Sequence, residues 1–447
     1  MSTKHILYLD SVRGIACMIV VYFHTITQIY PGILSGEFTY EQINPNNIMF
    51  YPPFSLALAG TASVCLFFVL SGFVLSQRFL GEREMQWKII EAITKRPVRL
   101  VGVIFFTLLP MFYFLFTADF WCNRLWVDYD VYLKFFAHIA GSFVTMKILT
   151  IDSLRNPVLW SIDIELWGSF LTFGLCLLVG NWSKLVRLVI WISLMLWFKD
   201  TYYVAFMFGI LIADLHKNWN VDWFIKHKNA ISYVLIIPAI ILSAYPIYYI
   251  PKPQFLANVK FIQDGYLMLG AMLMFICIMC NDRVKRILEF KLLVFVGGIS
   301  YSVYVLHLLI LNNYLVPVAN LVRTNFSTNI YLSFILIVAA VFIVVIFLSW
   351  LVDVCVDKPC IKFAAWFGRK ITKEIQVRLE VLRNMIKALK MKNHHKCGHA
   401  QDSLALIRVI ETDDKLVPVS EQNDAVKLES HIKEDRKKFG YEEADAK

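Results

Sequence analysis

Ten separated stretches of this chain are long enough, or apolar enough, to cross a lipid bilayer as helices. They lie near 12–31, 54–76, 98–117, 158–179, 185–198, 201–214, 230–249, 264–280, 292–316 and 330–354. A segment in lipid must satisfy its own backbone hydrogen bonds, which a helix does and an isolated loop does not. The fifth and sixth stretches are short for a span of about 20 residues. The flanking Trp and Tyr residues are available to extend them. The chain is 58% hydrophobic with a mean hydropathy of +0.58, beyond the range of a soluble domain. The expected fold class is therefore all-α, a polytopic helical membrane protein. The first stretch is too long for a secretory leader and lacks a small-residue cleavage site, so it reads as an anchor.

Lys and Arg set the orientation of such a chain. The first loop, 32–53, carries none, whereas the second carries Arg78, Arg83, Lys88, Lys95 and Arg96. Ten spans with both termini inside leave eight cationic residues outside: Arg124, Lys134, Lys147, Arg155, Lys199, Lys252, Lys260 and Arg323. The remaining 36 of 44 fall inside. An even number of spans requires both termini on one side, so the charge count and the span count agree. A multi-pass protein of a plasma or inner membrane is expected. The net charge of +10 follows topology and does not point to nucleic acid.

Three regions follow from composition. Residues 1–362 form the expected ten-helix membrane domain. Residues 363–392 form a basic amphipathic helix, in which Ile371, Ile375, Leu379, Leu382, Ile386 and Leu389 recur at steps of three and four. Such a helix suits the inner leaflet and its lipids, with a coiled-coil contact as the alternative. Residues 393–447 are polar and charged, and a disordered cytoplasmic tail is expected. In the outer loop 118–157, Val131–Met146 is amphipathic and suits the outer surface. No metal site is expected. His394, His395, Cys397 and His399 lack a second ligand pair at a recognised spacing. Cys277 and Cys280 have C-x-x-C spacing but sit in an apolar helix, where they read as packing residues.

Charge inside the spans is the informative remainder, because ionisable groups in a membrane are costly and mark functional paths. Arg13 and His24 lie in the first stretch, and their spacing puts them on one helix stripe about 16 Å apart along the axis. An Arg at the rim with a His deep above it fits a long anionic ligand whose reactive end reaches the imidazole. The alternatives are a snorkelling Arg13 and a packing His24. Arg96 and Arg99 fall on the same side as Arg13, and the planar guanidinium fork suits phosphate. The positive-inside rule alone would also place charges there.

In the fourth stretch, Trp160-Ser161-Ile-Asp163-Ile-Glu165 puts Ser161 and Glu165 on one face, with Asp163 turned about 200° away from Glu165. Counting rise per residue from the expected boundaries places His24, Glu165 and His307 at about one depth, in the outer half. A His beside a carboxylate suits general-base attack by a hydroxyl, with Glu165 holding the imidazole tautomer. The same residues suit a proton relay in a proton-coupled transporter of a small anion. No repeat symmetry and no Gly/Pro-broken helix pair supports that alternative.

Five elements in order resemble the membrane acyltransferase-3 family, whose members include O-acetylases of surface polysaccharides. They are Leu9-Asp10-Ser-Val-Arg13-Gly14-Ile-Ala with His24 following, Leu66-Phe-Phe-Val-Leu-Ser71-Gly72-Phe, Arg96-x-x-Arg99, Leu159-Trp-Ser161 through Glu165, and Ser300-Tyr301-Ser-Val-Tyr304-Val-Leu-His307. The chain departs from the pattern at Ser11, where Gly is usual, at Leu166, where many members carry a second acid, and at Pro97. The resemblance implies acetyl-CoA or another acyl-CoA as donor, used from the cytoplasm, with Arg13, Arg96 and Arg99 as donor-site residues. It implies His24 as a catalytic residue. Together with the depth argument this makes His24, Glu165 and His307 the candidate catalytic set. The expected reaction moves an acyl group, acetyl first, to a hydroxyl of a glycan, lipid or small-molecule acceptor reached from the outside.

Overall fold

The computed structural model describes residues 6–29, 53–82, 85–121, 157–219, 222–244, 265–325 and 330–394. The outer-loop amphipathic stretch, residues 32–52 of the first loop and the tail beyond 394 lie outside them, and with the tail His395, Cys397 and His399 of the His/Cys cluster. The described residues are helical, with no strand among them. Among the described residues thirteen α-helices run in order: α1 Leu7–Ile29, α2 Gly60–Gln77, α3 Gln86–Trp121, α4 Trp160–Val179, α5 Lys184–Trp197, α6 Tyr203–Asn218, α7 Asp222–Ser243, α8 Gly265–Cys280, α9 Asp282–Leu288, α10 Lys291–Gly298, α11 Ser300–Asn325, α12 Ile330–Val352 and α13 Lys358–His394. Residues Met1–Thr372 form one compact unit and Lys373–Lys447 a second.

Over the described residues, each of the ten expected stretches coincides with a helix or with a bent pair. Among the described residues four helices are long and apolar enough to cross a membrane, or six if each bent pair is one span. The bends are what sequence periodicity does not show. The expected 292–316 span is broken between α10 and α11, which turn by 67°, and α8 turns into α9 by 94°. Asn281 makes the second break possible. Its side chain accepts hydrogen bonds from the Arg283 and Val284 backbone N–H groups at 3.0 and 3.1 Å, capping α9. Beside this break, Lys228 holds the half-exposed Asp282 carboxyl below the usual carboxylate range.

The core is organised around α2, which touches α1, α4, α6 and α8. It is apolar on all sides, as a helix surrounded by others must be. Small residues set how close its neighbours come. A Cβ on Gly72 would lie 2.3 Å from the Phe206 carbonyl oxygen, and one on Gly209 would lie 2.3 Å from that of Val69. Gly72 is thus a helix-packing residue. In the same way a Cβ on Gly14 would meet the Gly297 backbone N at 2.7 Å, so α1 and α10 touch backbone to backbone beside Arg13.

Off this core, α5 and α6 are locked by a buried ion pair. Arg187 Nε and Nη2 donate to Asp214 at 2.8 Å each, Trp191 Nε1 donates to the same carboxylate at 2.9 Å, and Asn218 Nδ2 donates at 2.7 Å. Arg187 Nη1 reaches the Trp182 carbonyl at 2.7 Å. Every partner is satisfied, so the pair is a structural clamp and has no free valence for a ligand.

Candidate active site

Two tiers of polar side chains cross the interior of Met1–Thr372. The first is built by arginines. Arg96, on α3, ion-pairs with Glu165 on α4, and their side chains are only 15% and 14% exposed. Its Nε donates to Ser169 Oγ at 2.9 Å, one helical turn further along α4. Ser169 in turn donates to the Glu165 carbonyl at 2.6 Å. The i, i+4 spacing of Glu165 and Ser169 therefore presents two acceptors to one guanidinium fork. Ser71, from α2, donates to Glu165 Oε1 at 2.6 Å. Arg13 joins from α1, with Nη1 3.2 Å from Asp10 Oδ1. Tyr301, on α11, donates to the Leu100 carbonyl at 2.7 Å, which ties α11 to α3 next to Arg99. Arg99, Arg96, Glu165 and Asp357 all lie within electrostatic reach of Tyr301.

The second tier is a pair of imidazoles. The rings of His24 on α1 and His307 on α11 have centroids 5.3 Å apart and planes inclined by 35°. His307 is fully buried. Its Nδ1 is 2.7 Å from the Tyr304 carbonyl oxygen and 3.2 Å from that of Val303. A carbonyl only accepts, so Nδ1 carries the proton and Nε2 is the basic nitrogen. That Nε2 is buried and has no hydrogen-bond partner. Tyr304 OH meets Ser161 Oγ at 2.6 Å, joining α11 to α4 just below the pair. Cys17 Sγ donates to the Ser300 carbonyl at 3.3 Å, so α1 and α11 keep step from residues 17 and 300 to residues 24 and 307.

The structure brings His24 and His307 together as depth counting expected, and brings Arg13, Arg96 and Arg99 to one region. It does not place Glu165 with the imidazoles. Ser161 is level with Tyr304, and Glu165 is near Tyr301. Glu165 therefore lies about one turn below this level and His307 about one turn above it, roughly 10 Å apart along the axes. Its hydrogen bonds go to Ser71 and Arg96, and neither imidazole is among its partners. The expected carboxylate–imidazole contact is replaced by an imidazole–imidazole contact. The difference arises because the level of α4 against α11 is set by the Ser161–Tyr304 contact between them and not by where each helix enters the membrane. Asp163 faces elsewhere, within electrostatic reach of Tyr203.

A family model described as an acyltransferase domain matches residues 6–354. The chain belongs to the acyltransferase-3 family. It is thus a membrane acyltransferase, and the match covers both tiers. Searches of characterised proteins and of solved structures each return no match. For an acyltransferase the missed residues are informative. Ser169 and Asp357 carry no motif of their own, and their roles follow only from what reaches them. Ser169 sits one turn after Glu165, a spacing visible in the sequence once Glu165 is known to meet an arginine. Among the described residues no group of three or more His, Cys, Asp or Glu could hold a metal ion.

Proposed function

We propose that this acyltransferase is a multi-pass protein of a plasma or inner membrane that moves an acyl group, acetyl first, from cytoplasmic acyl-CoA to an acceptor hydroxyl reached from the outer side. The observation that supports this most is the separation of the two tiers on α1. Arg13 and His24 stand about 16 Å apart along one stripe. That suits an extended donor whose phosphates lie at one end and whose thioester lies at the other. Arg13, Arg96 and Arg99 bind the anionic end, where planar guanidinium forks match phosphate oxygens. The acceptor is a glycan, a lipid or a small molecule with a free hydroxyl, and the inner-leaflet lipids take the basic face of α13.

His24 removes the proton from the acceptor hydroxyl. The oxygen attacks the thioester carbonyl, the C–S bond breaks, and the CoA thiolate leaves and takes up a proton. His307 supports this step. With its proton fixed on Nδ1 by the Tyr304 carbonyl, its Nε2 is the acceptor for a proton held by a charged neighbour. It thus stabilises the imidazolium of His24 where a carboxylate does so in other triads. Glu165 belongs to the donor tier, where it holds Arg96.

The purified chain in proteoliposomes with radiolabelled acetyl-CoA tests the donor. Mass spectrometry of surface glycans and lipids, with and without the gene, tests the acceptor. An acetyl mass difference of gene-dependent abundance is the expected result. Normal glycans and lipids together with no acetyl-CoA turnover would overturn the reading.

A further inference from the structure

Three arginines of the donor tier are matched by three carboxylates. Arg13 pairs with Asp10 at 3.2 Å and Arg96 with Glu165. The third set is different. Arg99 and Asp357 lie within electrostatic reach of each other, yet no hydrogen bond joins them. Arg99 Nε and Asp357 Oδ1 are both buried without a hydrogen-bond partner. Asp357 is 2% exposed. Buried polar atoms are normally hydrogen-bonded, so two orphaned atoms of opposite charge in one region require an explanation.

The chain reaches this place through an unusual turn. Asp353–Asp357 is π-helical, between α12 and α13. Such turns are rare and concentrate at functional sites. This one packs on α3, the helix that carries Arg99. The contact continues into α13, where a Cβ on Gly102 would lie 3.1 Å from Cys360 Sγ. The two acids of the turn have separate fates. Asp353 meets Lys358 at 2.7 Å, and that lysine is exposed. Asp357 faces the arginine tier.

We propose that Asp357 is the resident counter-ion of Arg99, which keeps the arginine tier neutral while the site is empty and yields Arg99 to the donor's phosphate. The inference rests on the reading of Arg99 as a donor-site residue. It lets three largely enclosed arginines share one region, each with a carboxylate beside it. It also sets a limit on affinity. Spent CoA carries the same phosphates as the donor, so a tier of unopposed arginines would retain the product. A fixed carboxylate beside Arg99 lowers affinity for both and lets CoA leave.

Binding of radiolabelled CoA to the purified full chain in detergent, at one low salt concentration, tests this. Asp357→Asn is expected to tighten CoA binding by roughly 10- to 30-fold, the effect of one unit charge about 8–12 Å from a bound phosphate at an effective dielectric near 20. In an Arg99→Gln background the same substitution should tighten binding by a clearly smaller factor, because the two residues are coupled. Asp282→Asn removes equal charge from a half-exposed surface pair and should leave binding unchanged. Asp357→Ser is the second neutral variant, for the case in which the Asn protein does not fold. A wild-type chain that does not bind CoA would overturn the donor reading itself. A wild-type chain that binds, with neutral variants that bind equally or more weakly, overturns the counter-ion role alone. Two neutral variants that both fail to fold would make Asp357 a structural support and also overturn it.

Discussion

His24 and His307 face each other from α1 and α11 with ring centroids 5.3 Å apart. The pairing depends on a hydrogen bond outside it. The Tyr304 carbonyl fixes the proton of His307 on Nδ1, so the basic nitrogen is the buried Nε2. A positioned general base contributes about 10²–10⁴-fold to rate. His24→Ala should reduce acyl transfer by that factor while CoA binding stays within about 2-fold of wild type, because the arginines lie a tier away. His307→Ala should reduce kcat by a smaller factor. Single-turnover transfer with saturating acetyl-CoA measures both. Near wild-type transfer by His24→Ala would move the base to His307.

The placement of Glu165 gives a different expectation for its variant. An imidazole-orienting carboxylate would affect kcat alone. Glu165 instead receives Arg96 and Ser71. Breaking a buried pair on one side costs up to about 3–5 kcal/mol, because the other charge is left unopposed. Glu165→Gln should therefore raise the KM for acetyl-CoA and lower thermal stability, with the acceptor KM unchanged. Initial rates with each substrate varied in turn separate the two readings. A fall in kcat with both KM values unchanged would return Glu165 to the imidazoles.

The helices were legible in the sequence because apolar length and the cost of backbone groups in lipid are local properties. Arg13 and His24 were legible for the same reason, since one helix carries both and its pitch fixes their relation. Relations between helices were not. The level of Glu165 against His307 depends on how α4 and α11 are set against each other, and Ser161–Tyr304 sets it. The break at Asn281 was also hidden, since hydropathy does not register direction. A small residue such as Gly72 fits close approach of a ligand or of a helix, and the sequence does not separate the two. The Phe206 carbonyl decides for the helix.

Orientation has a direct test. The Lys/Arg asymmetry puts both termini on the cytoplasmic side. A cysteine introduced at position 45 should be labelled by an impermeant maleimide from outside, in a variant whose native cysteines are replaced. A protease-cleavable tag after Lys447 should be cut only after the cells are opened. A tail cleaved in intact cells would remove the even number of spans, and a position 45 labelled only after the cells are opened would move the arginine tier to the outer side.

The α5–α6 clamp sets a stability expectation independent of any substrate. Arg187 and Asp214 are 4% and 2% exposed as side chains, and Trp191 and Asn218 complete the carboxylate's hydrogen bonds. Asp214→Asn keeps shape but leaves a buried guanidinium unneutralised, at a cost of about 3–5 kcal/mol. Thermal unfolding of the purified chain in detergent should show a clear drop in midpoint. Arg187→Met with Asp214→Leu removes both charges and leaves none uncompensated, so it should recover much of the loss. A double variant no more stable than Asp214→Asn would show that the hydrogen bonds to Trp182, Trp191 and Asn218, and not the charge balance, hold α5 to α6.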